Sequence, residues 1–144
     1  MSKLERLYSL IENIEVAMLT TSNDDDLLVS RPMVTQQCEQ DGKLYFVTTT
    51  ATMKTDEIQA DKFVNLAYYN DQNKHWVSIS GKARLADDRE KIRTLYDPSW
   101  SVWMSDEGGD KDGGPDDPRF ILIEVEIVTA HFMSAPTGVA EVVL

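Results

Sequence analysis

Short segments in which apolar and polar residues alternate run through most of this chain, and they restrict its fold more than any other feature. The two clearest are HWVSISGKARLA, residues 75–86, and RFILIEVEIVTAHFM, residues 119–133. In the first, Val77 and Ile79 point to one face and Trp76 to the other. Because side chains of a strand alternate between its two faces, this period of two predicts strands that are buried on one side.

Four similar segments come earlier in the chain. They are VAMLTTS, LLVSRPMVTQQ, KLYFVTT and FVNLAYYN, at residues 16–22, 27–37, 43–49 and 63–70. Turn-forming runs such as NDDD, QDG and DQNK separate them, and GVAEVVL at residues 138–144 predicts a further edge strand. About six short strands at this spacing predict a mainly β fold, an antiparallel β-barrel with small helices.

Three helices are predicted between the strands. Residues 2–14 carry apolar residues at helical spacing, and Ser2 and Glu5 have the spacing of a capping box. Residues 53–61 and the segment DDREKIRTLY predict two shorter helices. No internal linker divides the 144 residues, so we expect a single domain over residues 1–144.

The charge balance excludes some classes of partner. The formal net charge is −11, and a surface this acidic disfavours nucleic acid and anionic membranes. No segment is apolar enough for a membrane span, and the charged N-terminus does not resemble a signal peptide. The single cysteine, Cys38, gives no reason to expect an oxidising compartment. We therefore expect a cytoplasmic protein.

The usual catalytic and metal-binding patterns are absent. His75 and His131 are far apart and lack metal-ligand spacing, and Cys38 has no CxxC partner. The acidic loop at residues 106–117 lacks the ligand spacing of an EF-hand. We expect no metal site, and we interpret this loop as solvated, although its length and glycines also fit a flap beside a ligand.

A candidate anion site lies at the end of the VTTTATMK stretch. Thr52 and Lys54 fall where a strand ends and a helix is predicted to begin, and unpaired N–H groups at a helix start attract anions. Lys54 opposes the helix dipole there, a small cost that an anion would offset. The residue pattern by itself slightly favours the simpler interpretation, a threonine cap followed by a surface lysine.

Arg31 is the second unusual residue, because it stands in mid-strand between apolar neighbours. An inward arginine needs a partner, and its planar guanidinium suits phosphate or carboxylate. An outward arginine on an edge strand is equally compatible with the pattern. Pro32, which cannot donate to a ladder, predicts an edge or a bulge at this point.

Taken in order, these segments resemble a known family. SRPM, then LYFVTTTATMK, then WVSISGKARL, then PDDPRF are similar to the pyridoxamine 5′-phosphate oxidase-like FMN-binding split barrels, more narrowly to the general stress protein 26 group. The resemblance covers residues 3–133. It implies a split barrel of antiparallel strands and a homodimer with two FMN sites at the subunit interface.

The resemblance also implies which residues bind FMN. Arg31 and Lys54 would contact the phosphate, and Thr52 would add a hydroxyl. The positions that would lie against the ring and ribityl chain or at its edge are Pro32, Met33, Val47, Thr48, Trp76 and Phe132. Met53 would be a further flavin-binding residue, where the oxidases often have a second arginine. Trp76 would reach the flavin of the second subunit. Three of these depart from the usual residue of the family, namely Met53 for an arginine, Trp76 for a glutamine and Phe132 for a tryptophan.

The C-terminal segment SAPTGVAEVVL argues against oxidation of pyridoxamine phosphate, since it lacks the basic residues that hold the substrate phosphate in true oxidases. Three functions remain open. The chain is a flavin-dependent oxidoreductase on another small molecule, a flavin-binding stress protein that buffers or senses flavin, or a split barrel for another cofactor such as deazaflavin or haem. The residues name no catalytic acid or base.

Overall fold

The alternating segments form one antiparallel sheet in the computed structural model, which describes residues 2–23, 25–37, 39–50, 62–133 and 140–142. Within these ranges the strands are β1 (Val16–Ser22), β2 (Leu28–Val34), β3 (Lys43–Thr49), β4 (Lys62–Tyr69), β5 (Trp76–Ala86), β6 (Phe120–Met133) and β7 (Ala140–Val142). The order across the sheet is β2-β1-β4-β5-β6-β3, and β7 pairs with β6 beside this path.

The two end strands of this order, β2 and β3, approach each other. The backbone N–H of Gln36, just after β2, donates to the carbonyl of Tyr45 in β3 at 2.9 Å. The sheet is therefore curled into an open barrel whose first and last strands face one another. This architecture confirms the predicted mainly β split barrel, and the edge position of β2 accommodates Pro32, which lacks a backbone donor.

The interior of the barrel is filled by alternate strand residues and closed by helix α1 (Lys3–Ile11). Ser2 caps this helix as predicted, since its Oγ accepts from the Glu5 N–H at 3.1 Å and its own N–H donates to the Glu5 carboxylate at 3.2 Å. The helix contributes Leu7, Tyr8 and Ile11 to the core. The strands contribute Ala17, Leu19, Leu44, Phe46, Val64, Leu66, Tyr68, Val77, Ile79, Ile123, Val125 and Phe132.

A second, smaller core covers the outer face of β3 and β6. Helix α2 (Arg89–Leu95) and the 3₁₀ helix (Pro98–Trp103) pack there. The buried side chains of this cluster are Ile92, Trp100, Phe120 and Leu122. As a result β3 and the first half of β6 are buried on both faces, which explains why their burial does not alternate strictly. No helix among the described residues is long and apolar enough to cross a membrane.

The acidic loop is anchored at its C-terminal end. Asp117 is fully buried, and its carboxylate accepts from the Gly113 N–H at 2.8 Å and from the Arg119 guanidinium at 2.8 and 3.1 Å. The hydrogen bonds from Arg119 outweigh the effect of burial and lower the pKa of Asp117 to about 2. The interpretation of residues 106–117 as a solvated loop is therefore wrong for this end, although most of its other residues are exposed.

Candidate functional site

A cleft of about 450 Å³ lies between the two end strands of the curled sheet. Its walls come from β2, from β3 and from the 3₁₀ helix. The residues that line it are Glu15, Arg31, Pro32, Met33, Val34, Gln36, Val47, Thr48, Thr49, Asp97, Ser99, Trp100 and Phe120. Five of these belong to the predicted flavin site, so two segments that the sequence singled out separately meet in one place. The volume falls within the usual range for small-molecule sites.

Arg31 is turned toward the interior of the barrel, which decides between the two orientations left open by the sequence. It pairs in register with Leu19, a buried residue of β1. Its side chain is half-buried, and Nη2 donates to the hydroxyl of Thr21 at 3.0 Å. This hydrogen bond fixes the direction of the guanidinium and holds a positive charge on the β2 side of the cleft.

The wall from β3 combines apolar and hydroxyl side chains. Val47 is half-buried, and Thr48 and Thr49 are buried. Thr49 pairs in register with Phe120 of β6, whose ring also lines the cleft. The sequence interpretation gave a ligand role to Thr48 but not to Thr49, and the structure places both beside the cleft.

The third wall is the 3₁₀ helix, which is not among the helices predicted from the sequence. The Asp97 carboxylate caps it by accepting from the Ser99 N–H at 2.8 Å, and this backbone hydrogen bond lowers the pKa of Asp97. Pro98 occupies the first helical position. The sequence Asp-Pro-Ser ahead of an aromatic residue is a start signal for a short helix, so this wall could have been predicted.

Two of the predicted residues lie away from the cleft of their own chain. Trp76 is half-buried at the start of β5, where it pairs in register with Tyr69 and Met133. Phe132 is buried in the barrel core, and the Arg6 guanidinium lies 4.5 Å from the centre of its ring. The described lining of the cleft includes neither side chain, and their assignment to a flavin site stays a prediction.

Thr52, Met53 and Lys54 lie outside the described residues, as does the predicted helix 53–61. The last described residue before them is Thr50, whose N–H donates to the carbonyl of Arg119 at 3.0 Å, next to the Thr49–Phe120 pair. The phosphate role of Lys54 and Thr52 and the flavin-binding role of Met53 stay predictions.

The described side chains equip the cleft to bind an anionic, partly aromatic small molecule. Arg31 supplies a cation that can make paired hydrogen bonds, and Thr48 and Thr49 supply hydroxyls. Met33, Val47, Trp100 and Phe120 supply apolar surface. In the described part of the chain, no three His, Cys, Asp or Glu side chains are grouped so that they could hold a metal ion.

The curled antiparallel sheet and its cleft are those of a ligand-binding split β-barrel. A comparison of the sequence with known families gives the same class of protein. The family model described as pyridoxamine 5′-phosphate oxidase like matches residues 2–144. The chain belongs to this family.

One curated relative is the Neurospora crassa protein bli-3, which is 37% identical over 133 residues. The alignment covers 90% of this chain and 64% of the relative, so the chain spans less than two thirds of the relative's length.

Solved structures share the fold at low identity. The general stress protein 26 of Bacillus anthracis superposes with a TM-score of 0.76, at 18% identity, over 98% of both chains. The general stress FMN/FAD binding protein of Xanthomonas citri superposes with a TM-score of 0.73, at 21% identity, over 91% of this chain and 87% of the other.

Proposed function

We propose that this protein binds FMN in the cleft between β2 and β3 and uses it as a flavin-dependent oxidoreductase on a small molecule other than pyridoxamine phosphate. The position of Arg31 carries the proposal. It is a cation held inward by Thr21, in a cleft whose other lining residues are mostly apolar or hydroxyl-bearing and also include Gln36, Glu15 and Asp97. The Xanthomonas citri structure, described as an FMN/FAD binding protein, supports flavin as the ligand class.

The groups on the cleft walls match the three parts of FMN. A phosphate suits the guanidinium of Arg31, and Lys54 and Thr52 are proposed to complete its binding site. The hydroxyl-bearing ribityl chain suits Thr48 and Thr49. The planar isoalloxazine ring suits the apolar surfaces of Met33, Val47, Trp100 and Phe120.

The flavin, when bound, supplies the redox chemistry, as cofactors generally do. The residues of this chain bind its phosphate, orient its ring and cover part of it from water. The relatives described as general stress proteins suggest a second function, in which the chain buffers or senses flavin without fast turnover.

Reduction of the bound flavin separates these two functions. The protein is loaded with FMN, freed of oxygen and mixed with NADH or NADPH, and bleaching of the flavin absorbance is followed in time. An oxidoreductase is expected to bleach at least about 100-fold faster than free FMN at the same donor concentration, a modest acceleration by enzyme standards. If the bound flavin bleaches no faster than free FMN with NADH, with NADPH and with a dithionite-reduced dye as donor, storage or sensing of flavin is favoured.

We further propose that two copies of this chain associate through the outer face of β2, β1, β4 and β5. Apolar side chains are neighbours across this face by register: Val34 with Val16, and Met18 with Ala67. Val16, Met18 and Val34 are each 40–45% exposed. The outward residues of these four strands include no Asp or Glu, so in a chain with a net charge of −11 a second copy meets less repulsion on this face than on an acidic one.

The dimer would also give Trp76 a route to a flavin, since the family resemblance places Trp76 at the site of the second subunit. Trp76 belongs to the same outer face, beside Tyr69, which is 56% exposed. Pro32 and Val34 lie both on this face and at the cleft, so the interface would border the ligand.

Replacing Met18 with glutamate is expected to dissociate this dimer. Sedimentation equilibrium should give twice the 16.3 kDa chain mass for the wild type and a single chain mass for the variant, because the interface would bury an unpaired charge. The matched control is Val102→Glu, on an apolar residue that is 77% exposed on the 3₁₀ helix, and it should stay dimeric. A monomeric wild type, or a dimeric Met18→Glu variant, would contradict the proposed face.

A further inference from the structure

The indole of Trp100 has a defined position at the cleft. It is almost fully buried, and its ring makes edge-to-face contacts with Phe120 at 5.3 Å and Tyr96 at 5.4 Å between ring centres. Phe120 lines the same cleft, and so does Val47 of β3. Two aromatic side chains in contact thus form an apolar surface of the cleft that Arg31 also lines.

The acidic loop contacts the 3₁₀ helix directly behind Trp100. Gly113 of this loop has φ of +79°, and a Cβ added to it would lie 3.1 Å from the Cβ of Ser101. Its carbonyl accepts from the Tyr96 hydroxyl at 3.0 Å. Gly113 therefore touches both the residue that follows Trp100 and one of the two rings that hold the indole.

Gly113 is itself fixed by the buried carboxylate of Asp117. The Gly113 N–H donates to Asp117 Oδ2 at 2.8 Å, and the Arg119 guanidinium donates to the same carboxylate. Arg119 also donates to the Ser105 carbonyl at 2.8 Å, just beyond the 3₁₀ helix. A continuous series of contacts runs from Asp117 through Gly113 to the helix that carries Trp100.

We propose that Trp100 is a contact residue for the flavin ring, and that the acidic loop positions it through Gly113 and Asp117. This inference rests on the proposed function. It gives a physical role to a loop whose glycines and length otherwise suggest a moving flap. The loop supports the cleft wall from behind and does not line the cleft among the described residues.

A contact with the ring has a different signature from a contact with the phosphate. Because FMN and riboflavin share the ring, loss of a ring contact weakens both ligands by the same factor. Trp100→Leu is expected to weaken each by about 3- to 10-fold, the size of an aromatic pair contact. Trp100→Phe keeps an aromatic ring on the wall and should stay within about 3-fold of the wild type. If Trp100→Leu does not fold, the shift of the Trp100 ¹⁹F resonance on flavin binding, described below, still tests the contact.

The experiment uses protein labelled with 5-fluorotryptophan, whose three tryptophans give separate ¹⁹F resonances. The Trp100 resonance is the one that Trp100→Phe removes. Riboflavin and FMN are each titrated into the wild type, and both are expected to shift this resonance at the concentrations at which they bind. Binding of either flavin without a shift at Trp100 would overturn the contact.

The positioning role is tested on ligand-free protein. Gly113→Ala is expected to shift the Trp100 resonance and to weaken both flavins by a similar factor, about 3-fold or more, because the new methyl displaces Ser101. Gly108→Ala is the matched control: Gly108 also has a positive φ, +89°, but its Cβ would meet nothing within 4 Å. An equal effect of the two variants, or none for Gly113→Ala, would overturn the positioning role.

Failure of this inference differs from failure of the proposed function. If the wild type binds neither flavin, the proposed function and the Trp100 contact are both overturned, while the resonance shift in ligand-free Gly113→Ala still decides the positioning role. If the wild type binds both flavins but Trp100→Leu binds them unchanged, only the inference about Trp100 is overturned.

Discussion

Replacing Arg31 with alanine is expected to weaken FMN binding by about 10- to 150-fold, since a charge-assisted hydrogen bond is worth about 1.5–3 kcal/mol. Riboflavin, which has the same ring and no phosphate, should stay within about threefold of its wild-type affinity. Lys54→Ala is expected to give the same pattern. The measurement is a titration of each variant with both ligands, followed by flavin fluorescence.

Two controls separate the charge of Arg31 from its structural hydrogen bond. Thr21→Val removes the hydroxyl that accepts from Arg31 and leaves the charge in place, so it should cost less FMN affinity than Arg31→Ala. Arg31→Lys keeps the charge and loses the planar pair of donors, so its affinity should fall between the wild type and Arg31→Ala. Equal losses of FMN and riboflavin in Arg31→Ala would place the arginine away from the phosphate.

Replacing Gly81 with alanine is expected to cause a large loss of stability. Gly81 lies in β5 where the register with β6 shifts, and an added Cβ would lie 2.5 Å from the Glu126 carbonyl oxygen and 2.6 Å from a methyl of Val125. Because one of these neighbours is backbone of the paired strand, relief requires distortion of the β5–β6 ladder. We expect a loss of about 3 kcal/mol, at the upper end for overpacking.

Urea unfolding measures this loss as a shift of the midpoint at unchanged slope. Ser80→Ala is the control, because Ser80 is the exposed neighbour at the same register shift and should stay within about 0.5 kcal/mol of the wild type. A Gly81→Ala variant within about 1 kcal/mol of the wild type would mean that the two strands can separate locally at little cost.

The strands could be predicted because apolar and polar residues alternate within each of these segments. Val16–Ser22 and Lys43–Thr49 begin and end where the sequence segments do, and β5 buries Val77 and Ile79 on the predicted face. The Ser2 cap was also predictable, because its partner Glu5 is only three residues away. These features depend on residues that are close together in the sequence, so the sequence is enough to predict them.

The cleft could be predicted only in part, because its walls are brought together by the closure of the sheet. The direction of Arg31 depends on Thr21 in another strand, and the local pattern left it open. Trp100 lies at the cleft in contact with Phe120, and Gly113 of the acidic loop touches its neighbours Ser101 and Tyr96. Phe120 and Gly113 are both distant from Trp100 in sequence. The prediction of a solvated loop is wrong at its C-terminal end even though the partners of Asp117, Gly113 and Arg119, are only four and two residues away. The burial of this carboxylate depends on how the loop packs, which the residue pattern does not show.

Binding of FMN to the purified wild-type protein tests the central claim most directly. FMN is titrated in while the visible flavin absorbance is recorded, and riboflavin is titrated in parallel. We predict a saturable spectral change with one FMN per chain and at least about tenfold weaker binding of riboflavin, because the phosphate contributes through Arg31. No saturable change with FMN, or equal affinity for the two ligands, would contradict a phosphate-binding flavin site between β2 and β3.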